Sequence, residues 1–293
     1  MLTALAPIVA RRSPHHGAVA PRAIADRAVA ALLKELDAWP KPGLVSRVDS
    51  GSHTDMDAAM MAASAASLRP FFAELAAAGQ DGAAIDRLRE IGLRAEAAML
   101  LVTGGVNTHR GAIFGLGLLC AAAGSMTRDS GAIVPSRLGD VVRQRWGADI
   151  LRGPVPLFSN GTTALRRYGA GGARAEAASG FRNLYQVGLP ALREARALRP
   201  DDPDAAAVQA CFALIAAVRD TNLLHRRGME GSRAAAAMAS AFLQQGGVAT
   251  PDWHARAATI HAAFVALNLS PGGCADLLAM TLFVDDISLA DTL

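Results

Sequence analysis

Residues 103–117 read Thr-Gly-Gly-Val-Asn-Thr-His-Arg-Gly-Ala-Ile-Phe-Gly-Leu-Gly, and this turn decides how the rest of the chain is read. Gly104 and Gly105 fit the end of a helix, because glycine enters the left-handed region without a Cβ penalty. An apolar helix begins near Arg110. Between the two stand Asn107, Thr108, His109 and Arg110, four hydrogen-bonding side chains in a row. Polar groups beside a core cost free energy unless paired. The four therefore either satisfy one another or face a ligand, and this stretch alone leaves both open.

Working outward, helical signals dominate. Aromatic residues make up only 5% of the 293 residues, the hydrophobic share of 52% is inflated by alanine, and β-branched residues rarely alternate with polar ones. That composition favours helix over sheet, so the fold expected is all-α, a single compact multi-helix domain. Ile24, Ala28, Leu32 and Leu36 keep helical spacing and predict a first helix over Arg22–Trp39, stopped by Pro40-Lys41-Pro42-Gly43. A second is expected from about Asp55 to Ala78 with a kink or break at Pro70, a third from about Ala83 to Val102, and a fourth from Arg110 to Ala123. Within the third, Arg94 and Glu90 look like a surface i,i+4 pair. Residues 124–180 carry weaker signals, with a helix at Ser136–Trp146 and another opened by Gly172. Asp202-Pro203, Thr250-Pro251 and Ser270-Pro271 each put a capping side chain before proline, opening helices near 203–222, 251–268 and 271–284. A further helix lies near 229–245. Residues 1–21 read as a flexible N-terminal tail, and 22–293 as the all-helical catalytic domain.

Charge and cysteine content narrow the function. A net charge of +3 and a pI near 9.0, with no basic block interleaved with aromatics, argue against nucleic acid and suit a polyanionic small molecule. Cys120, Cys211 and Cys274 lack metal-ligand spacing and read as reduced, buried thiols of a cytoplasmic protein. The apolar run Ala112–Ala123 is too short to span a bilayer, and no membrane association is expected. His254 and His261 share one helix face and read as core or surface residues.

Several clusters carry candidate chemistry. In His53-Thr54-Asp55-Met56-Asp57, Thr54 and Asp57 resemble a capping box; equally, Asp55, Asp57 and His53 on one arc offer oxygen ligands to a divalent ion. Glu96 shares a helical stripe with Gly92, Met99 and Thr103, which suggests a carboxylate turned toward packed helices. Arg174 and Glu176 are close enough along a short helix to pair. Asp220-Thr221-Asn222 with Arg226-Arg227-Gly228 reads as the end of a helix. In Ser270-Pro271-Gly272-Gly273-Cys274-Ala275-Asp276, two glycines bare a helix N-terminus, which suits an anion or close helix packing.

Taken together, Pro-Lys-Pro-Gly-Leu-Val (40–45), Ser-Gly-Ser-His-Thr-Asp-Met-Asp (50–57), Gly-Val-Asn-Thr-His-Arg-Gly-Ala-Ile-Phe (105–114), Gly-Ala-Arg-Ala-Glu-Ala (172–177), Asp-Thr-Asn (220–222) and Ser-Pro-Gly-Gly-Cys-Ala-Asp-Leu-Leu-Ala (270–279) resemble the triphosphoribosyl-dephospho-coenzyme A synthase family, in family order. Three positions depart from its pattern: Arg110 stands for a usual lysine, Ala175 for a glycine and Cys274 for a serine. The resemblance implies that the 2′-hydroxyl of 3′-dephospho-CoA attacks C1 of the ATP ribose and adenine leaves. The product would be the precursor of the prosthetic group on an acyl-carrier subunit, with malonate decarboxylase the working expectation over citrate lyase. It would pass to the transferase that modifies that carrier.

On this resemblance Glu96 or Asp220 would face the sugar and His109 would move a proton. Asp55 and Asp57 would hold Mg2+. Lys41, Arg110, Arg174 and Arg227 would contact phosphates, with Asn107, Thr108, Ser270, Gly272 and Gly273 also lining the ATP site. His53, Glu176, Asn222 and Asp276 complete the candidate set. Two other readings stand beside it: a metal-dependent helical hydrolase of nucleotide or ribosyl bonds, and a non-catalytic helical binding protein. A homodimer is left open.

Overall fold

The computed structural model describes residues 19–154 and 160–290; the expected N-terminal tail lies outside them up to residue 18. Among the described residues there is no strand, and the all-helical expectation holds. The α-helices are α1 (Pro21–Asp37), α2 (Ala58–Ser67), α3 (Arg69–Gln80), α4 (Ile85–Val102), α5 (Arg110–Ser130), α6 (Leu138–Arg152), α7 (Asn160–Tyr168), α8 (Gly172–Ala178), α9 (Leu189–Leu198), α10 (Pro203–Ala217), α11 (Thr221–Gln244), α12 (Trp253–Ala266) and α13 (Gly272–Ala290).

The centre of the packing is α5, buried along nearly its whole length from Ala112 to Thr127. Small residues bring it against α3 at backbone distance. A Cβ placed on Gly79 would collide with the Ala121 carbonyl, and one on Gly124 with the Ala76 carbonyl. Interiors are close-packed, so an alanine-rich chain with few aromatics gains its dispersion contacts by approaching backbones rather than by filling space with large rings. Helices α1 and α13 then lie against this pair. α5 runs seven residues beyond the expected Ala123 and stops at Gly131, whose φ of 75° makes it a left-handed cap. By length and hydropathy it is apolar enough to cross a membrane, but 83% of its most apolar window is buried inside the protein, as in a core helix.

Four expectations are corrected. The helix expected from Asp55 starts at Ala58: Asp57, not Thr54, is its N-cap, accepting from the Met60 N–H at 2.8 Å. The expected break is present, at Leu68, and Pro70 falls in the first turn of α3, where its missing donor costs nothing. Asp220-Thr221-Asn222 opens a helix rather than ending one, since α10 stops at Ala217 and Asp220 caps α11. Arg94 pairs with Glu74 on α3 at 2.5 Å rather than with Glu90, which takes Arg87. Helices α7 and α9 were not anticipated; a π-helical turn at Leu184–Gly188 leads into α9. The close of α4 is as expected, with Gly104 and Gly105 both at positive φ.

Candidate functional site

Three helix N-termini, those of α5, α11 and α13, meet around two carboxylates. Asp220 is 1% exposed. Its Oδ1 accepts from the N–H groups of Asn222 (2.7 Å) and Leu223 (3.1 Å), and its Oδ2 from the N–H of Cys274 (2.8 Å). One side chain therefore caps α11 and also holds the first turn of α13. The Cys274 side chain, at the position of the departure from serine, lies beside the same carboxylate, and burial raises its thiol pKa. Asp276, two residues further along, reaches the N-terminus of α5, where it lies near the Ala112 N–H and crowds Gly111 so closely that a Cβ there would strike its carboxylate. Burial first, then the charge of Asp220, pushes the Asp276 carboxyl well above the usual carboxylate range. Burial raises Asp220 too, against the pull of its three N–H bonds. Among the described residues neither carboxylate has a cation within ion-pair distance.

The glycines before Cys274 are explained by this packing. A Cβ on Gly273 would lie 2.9 Å from Asp220 Oδ2, and one on Gly272 would press on the Asn222 amide. Asn222, in the expected set, thus lies against the start of α13.

The loop between α1 and α2 closes the next side. Gly43, at φ 67°, sits where a Cβ would overlap the Leu269 carbonyl, and Ser52 Oγ donates to that same carbonyl at 2.6 Å. This brings His53 against Ser270, Nε2 to Oγ at 2.8 Å. His53 Nδ1 faces Asp55 at 3.2 Å, and both ring nitrogens lie 3.2–3.3 Å from Arg226. Burial, then the Arg226 charge, lowers the His53 pKa, with Asp55 opposing.

The 107–110 turn is bonded mostly by side chains of α2 and α4, with one hydrogen bond of its own. Asn107 Oδ1 accepts the Arg110 N–H at 3.1 Å. Buried Ser64 of α2 bridges Thr108 Oγ1 (2.7 Å) and His109 Nδ1 (2.8 Å). His109 is 4% exposed, and burial pushes its pKa down to about 4, so it is neutral near pH 7. Glu96 is half-buried rather than fully enclosed and forms an ion pair with Arg110 at 2.5 Å.

Several expected phosphate ligands are placed elsewhere. Lys41 is fully buried, its Nζ paired with Glu35 Oε1 at 2.5 Å and bonded to the Glu35 carbonyl. His261 packs beneath it, Nδ1 to the Lys41 carbonyl at 2.6 Å and Nε2 to Asp49 at 3.0 Å, and of the two placements left open by the sequence, core or surface, this selects the core. Arg174 caps the C-terminus of α6 through the carbonyls of Ile150, Leu151, Gly153 and Pro154 and does not pair with Glu176. Glu176 takes the N–H and side-chain amide of Asn183, both at 2.7 Å. Exposed Arg227 bonds the Leu267 carbonyl at 2.8 Å. Asp55 and Asp57 are exposed at the rim, Asp57 with one oxygen on its helix cap.

Glu35, Ser64 and Arg226 were missed. Glu35 had a signal: Ile24, Ala28, Ala31 and Glu35 share one face at i, i+4, i+7 and i+11, so a carboxylate on the buried stripe of α1 needed a cation. A separate cavity of about 150 Å³ is lined by Ser136, Tyr185, Leu189, Pro190, Arg193 and Val284. It lies about 18 Å along α13 from Gly272 at 1.5 Å per residue and has no part in this cluster.

Comparison with known proteins follows the same boundaries. The model of the ATP:dephospho-CoA triphosphoribosyl transferase family (CitG) matches residues 21–292. A probable 2-(5''-triphosphoribosyl)-3'-dephosphocoenzyme-A synthase from Azotobacter vinelandii is 43% identical over 271 residues, 89% of this chain and 90% of the relative. One from Stutzerimonas stutzeri is 41% identical over 288 residues, covering 97% and 96%. No solved structure matches.

Proposed function

Because this chain belongs to the ATP:dephospho-CoA triphosphoribosyl transferase family, we propose that the cluster around Asp220 and Asp276 is where its reaction takes place. The enzyme is an ATP-dependent transferase acting on ATP and 3′-dephospho-CoA. At C1 of the ATP ribose the bond to adenine breaks and a bond to the 2′-oxygen of the acceptor forms. The hydroxyl proton passes to a base, adenine takes up a proton at a ring nitrogen, and the triphosphate stays on the sugar.

The observation that carries this reading is the convergence of turns encoded far apart. Residue 53 bonds residue 270, residue 220 bonds residue 274, and residue 276 reaches residues 111 and 112. Breaking an N-glycosidic bond builds positive charge on the sugar, which fixed carboxylates stabilise. Asp220, which among the described residues has no cation within ion-pair distance, would face that charge. Asp276, whose carboxyl burial and the charge of Asp220 raise well above the usual carboxylate range, would be the donor to the departing base. His109, neutral and tethered to Ser64, is the second candidate for proton transfer, and Glu96 at the rim holds Arg110 for the substrate.

Among the described residues no group of three or more His, Cys, Asp or Glu side chains is arranged to hold a metal ion. Mg2+ commonly binds through one or two carboxylates plus substrate phosphates and keeps several waters. Asp55, an exposed carboxylate facing His53 and near Arg226, and Asp57, exposed two residues on with one oxygen on its helix cap, fit that role and would neutralise phosphate charge. The three free, buried cysteines support a reducing compartment such as the cytoplasm.

Incubating the enzyme with ATP, Mg2+ and dephospho-CoA and separating the bases tests the reading. Adenine released only when the acceptor is present is the expected result; ADP, phosphate, or adenine released without acceptor would favour the hydrolase. Transfer assays with the apo acyl-carrier subunits of malonate decarboxylase and citrate lyase identify which of them the product serves.

A further inference from the structure

Helix α11 is two helical pieces joined at Gly228, whose φ of 62° and ψ of −159° are reached almost only by glycine. The first piece is fixed at its start by Asp220 and ends before this break. Arg226 and Arg227 are consecutive, so they leave the helix about 100° apart. Arg227 turns outward to the Leu267 carbonyl. Arg226 turns inward, where one guanidinium nitrogen donates to the Ser52 carbonyl and to Asn268 Oδ1, each at 2.8 Å, and another lies against the His53 ring. None of these partners is an anion. Asp55 is near enough for its charge to be felt, yet no carboxylate among the described residues lies within ion-pair distance of this guanidinium. Burial meanwhile lowers the Arg226 pKa, the signature of a charge that has lost water without gaining a counter-charge.

We propose that Arg226, oriented by Ser52, Asn268 and His53, binds the polyphosphate of a substrate beside Ser270 and the N-terminus of α13. This rests on the transferase reading above for the identity of the substrate. A planar guanidinium matches phosphate oxygens two at a time, and here its remaining N–H groups are aimed by neutral acceptors that do not cancel its charge. Two polyphosphates have this chemistry: the triphosphate of ATP and the pyrophosphate of dephospho-CoA.

The experiment compares wild type with Arg226→Gln, Arg226→Lys and Arg227→Gln. Binding of inorganic tripolyphosphate and of pyrophosphate is measured by calorimetry, alongside KM for ATP and for dephospho-CoA. Loss of one charge-assisted contact weakens affinity roughly 10- to 100-fold. That loss is expected in Arg226→Gln, on the substrate whose phosphates it holds, with Arg226→Lys intermediate because it keeps charge without the fork. Should Arg226→Gln fail to fold, Arg226→Lys still decides, since an unchanged affinity for both anions and unchanged KM values in it overturn the proposal. A larger loss in Arg227→Gln than in Arg226→Gln also overturns it. Tripolyphosphate binding that depends on Arg226 in a wild-type enzyme releasing no adenine would sink the transferase reading and leave the anion site standing.

Discussion

Asp220 Oδ2 accepts the backbone N–H of Cys274 across 54 residues of sequence at 2.8 Å, so the side chain that starts α11 also fixes the start of α13. Removing it orphans three N–H groups. An N-cap is worth about 1 kcal/mol and an unsatisfied buried donor about 1–3 kcal/mol, so Asp220→Ala should lose about 2–4 kcal/mol in urea unfolding. Gly273→Ala presses a methyl on the same carboxylate and should lose about 1–3 kcal/mol by overpacking. Wild-type midpoints in both variants would show that this contact does not organise the site.

Asp276 should be a stability liability retained for chemistry. Its folded-state pKa is raised, so the folded protein holds the proton more tightly than the unfolded chain. Its contribution therefore becomes less favourable as pH rises above the unfolded carboxylate value, about 3.9. Asp276→Asn keeps an acceptor for the Ala112 N–H and removes the titration. The variant should be more stable than wild type at pH 7, by a margin that shrinks toward pH 4, while adenine release falls at least 100-fold. An active Asp276→Asn enzyme would remove Asp276 from the reaction.

His109 has the opposite pH signature. Its folded pKa of about 4 lies below the unfolded value near 6.5, so stability is fully present above pH 6.5 and is lost as pH falls toward 4. One such group costs about 2 kcal/mol between pH 7 and pH 5. Guanidinium melts of wild type and His109→Gln at the two pH values should show a pH-dependent loss smaller in the variant by about that amount. Equal losses would mean that His109 is hydrated rather than enclosed.

Lys41 and Glu35 test whether the pair under the site is structural. Removing one member of a buried pair typically costs about 3–5 kcal/mol, whereas replacing both by apolar groups is often neutral. Lys41→Met should therefore be severely destabilised, and Lys41→Met with Glu35→Leu should recover most of the loss. If the double variant is no better than the single, the two residues act independently of each other.

How far the sequence could be read depended on the range of the signal. Local stops and starts were legible: Pro40 ends α1, Gly104-Gly105 close α4, and Asp202-Pro203 opens α10. Asp220 was misread because Arg226-Arg227-Gly228 imitates a helix C-terminus, whereas Gly228 only bends a helix that continues. The choice between Arg226 and Arg227 depends on that bend and on a loop 173 residues away, and no local pattern encodes either. The matched turns at 53, 220 and 270 were found as motifs. That they touch is tertiary information, carried by Gly43, Gly111 and Gly273, whose missing side chains mark where other segments press in.

The glycine seam between α3 and α5 has a consequence for how this enzyme tolerates change. Gly124 lies about 20 Å along α5 from Gly111 at 1.5 Å per residue, yet both sit on one rod clamped to α3. A single added methyl at Gly79 or Gly124 would strike a backbone carbonyl of the facing helix and should tilt or slide that rod, a displacement expected to reach the turn beside Asp276. Random substitution would score these distant positions as active-site lesions, with turnover damaged well before the protein melts.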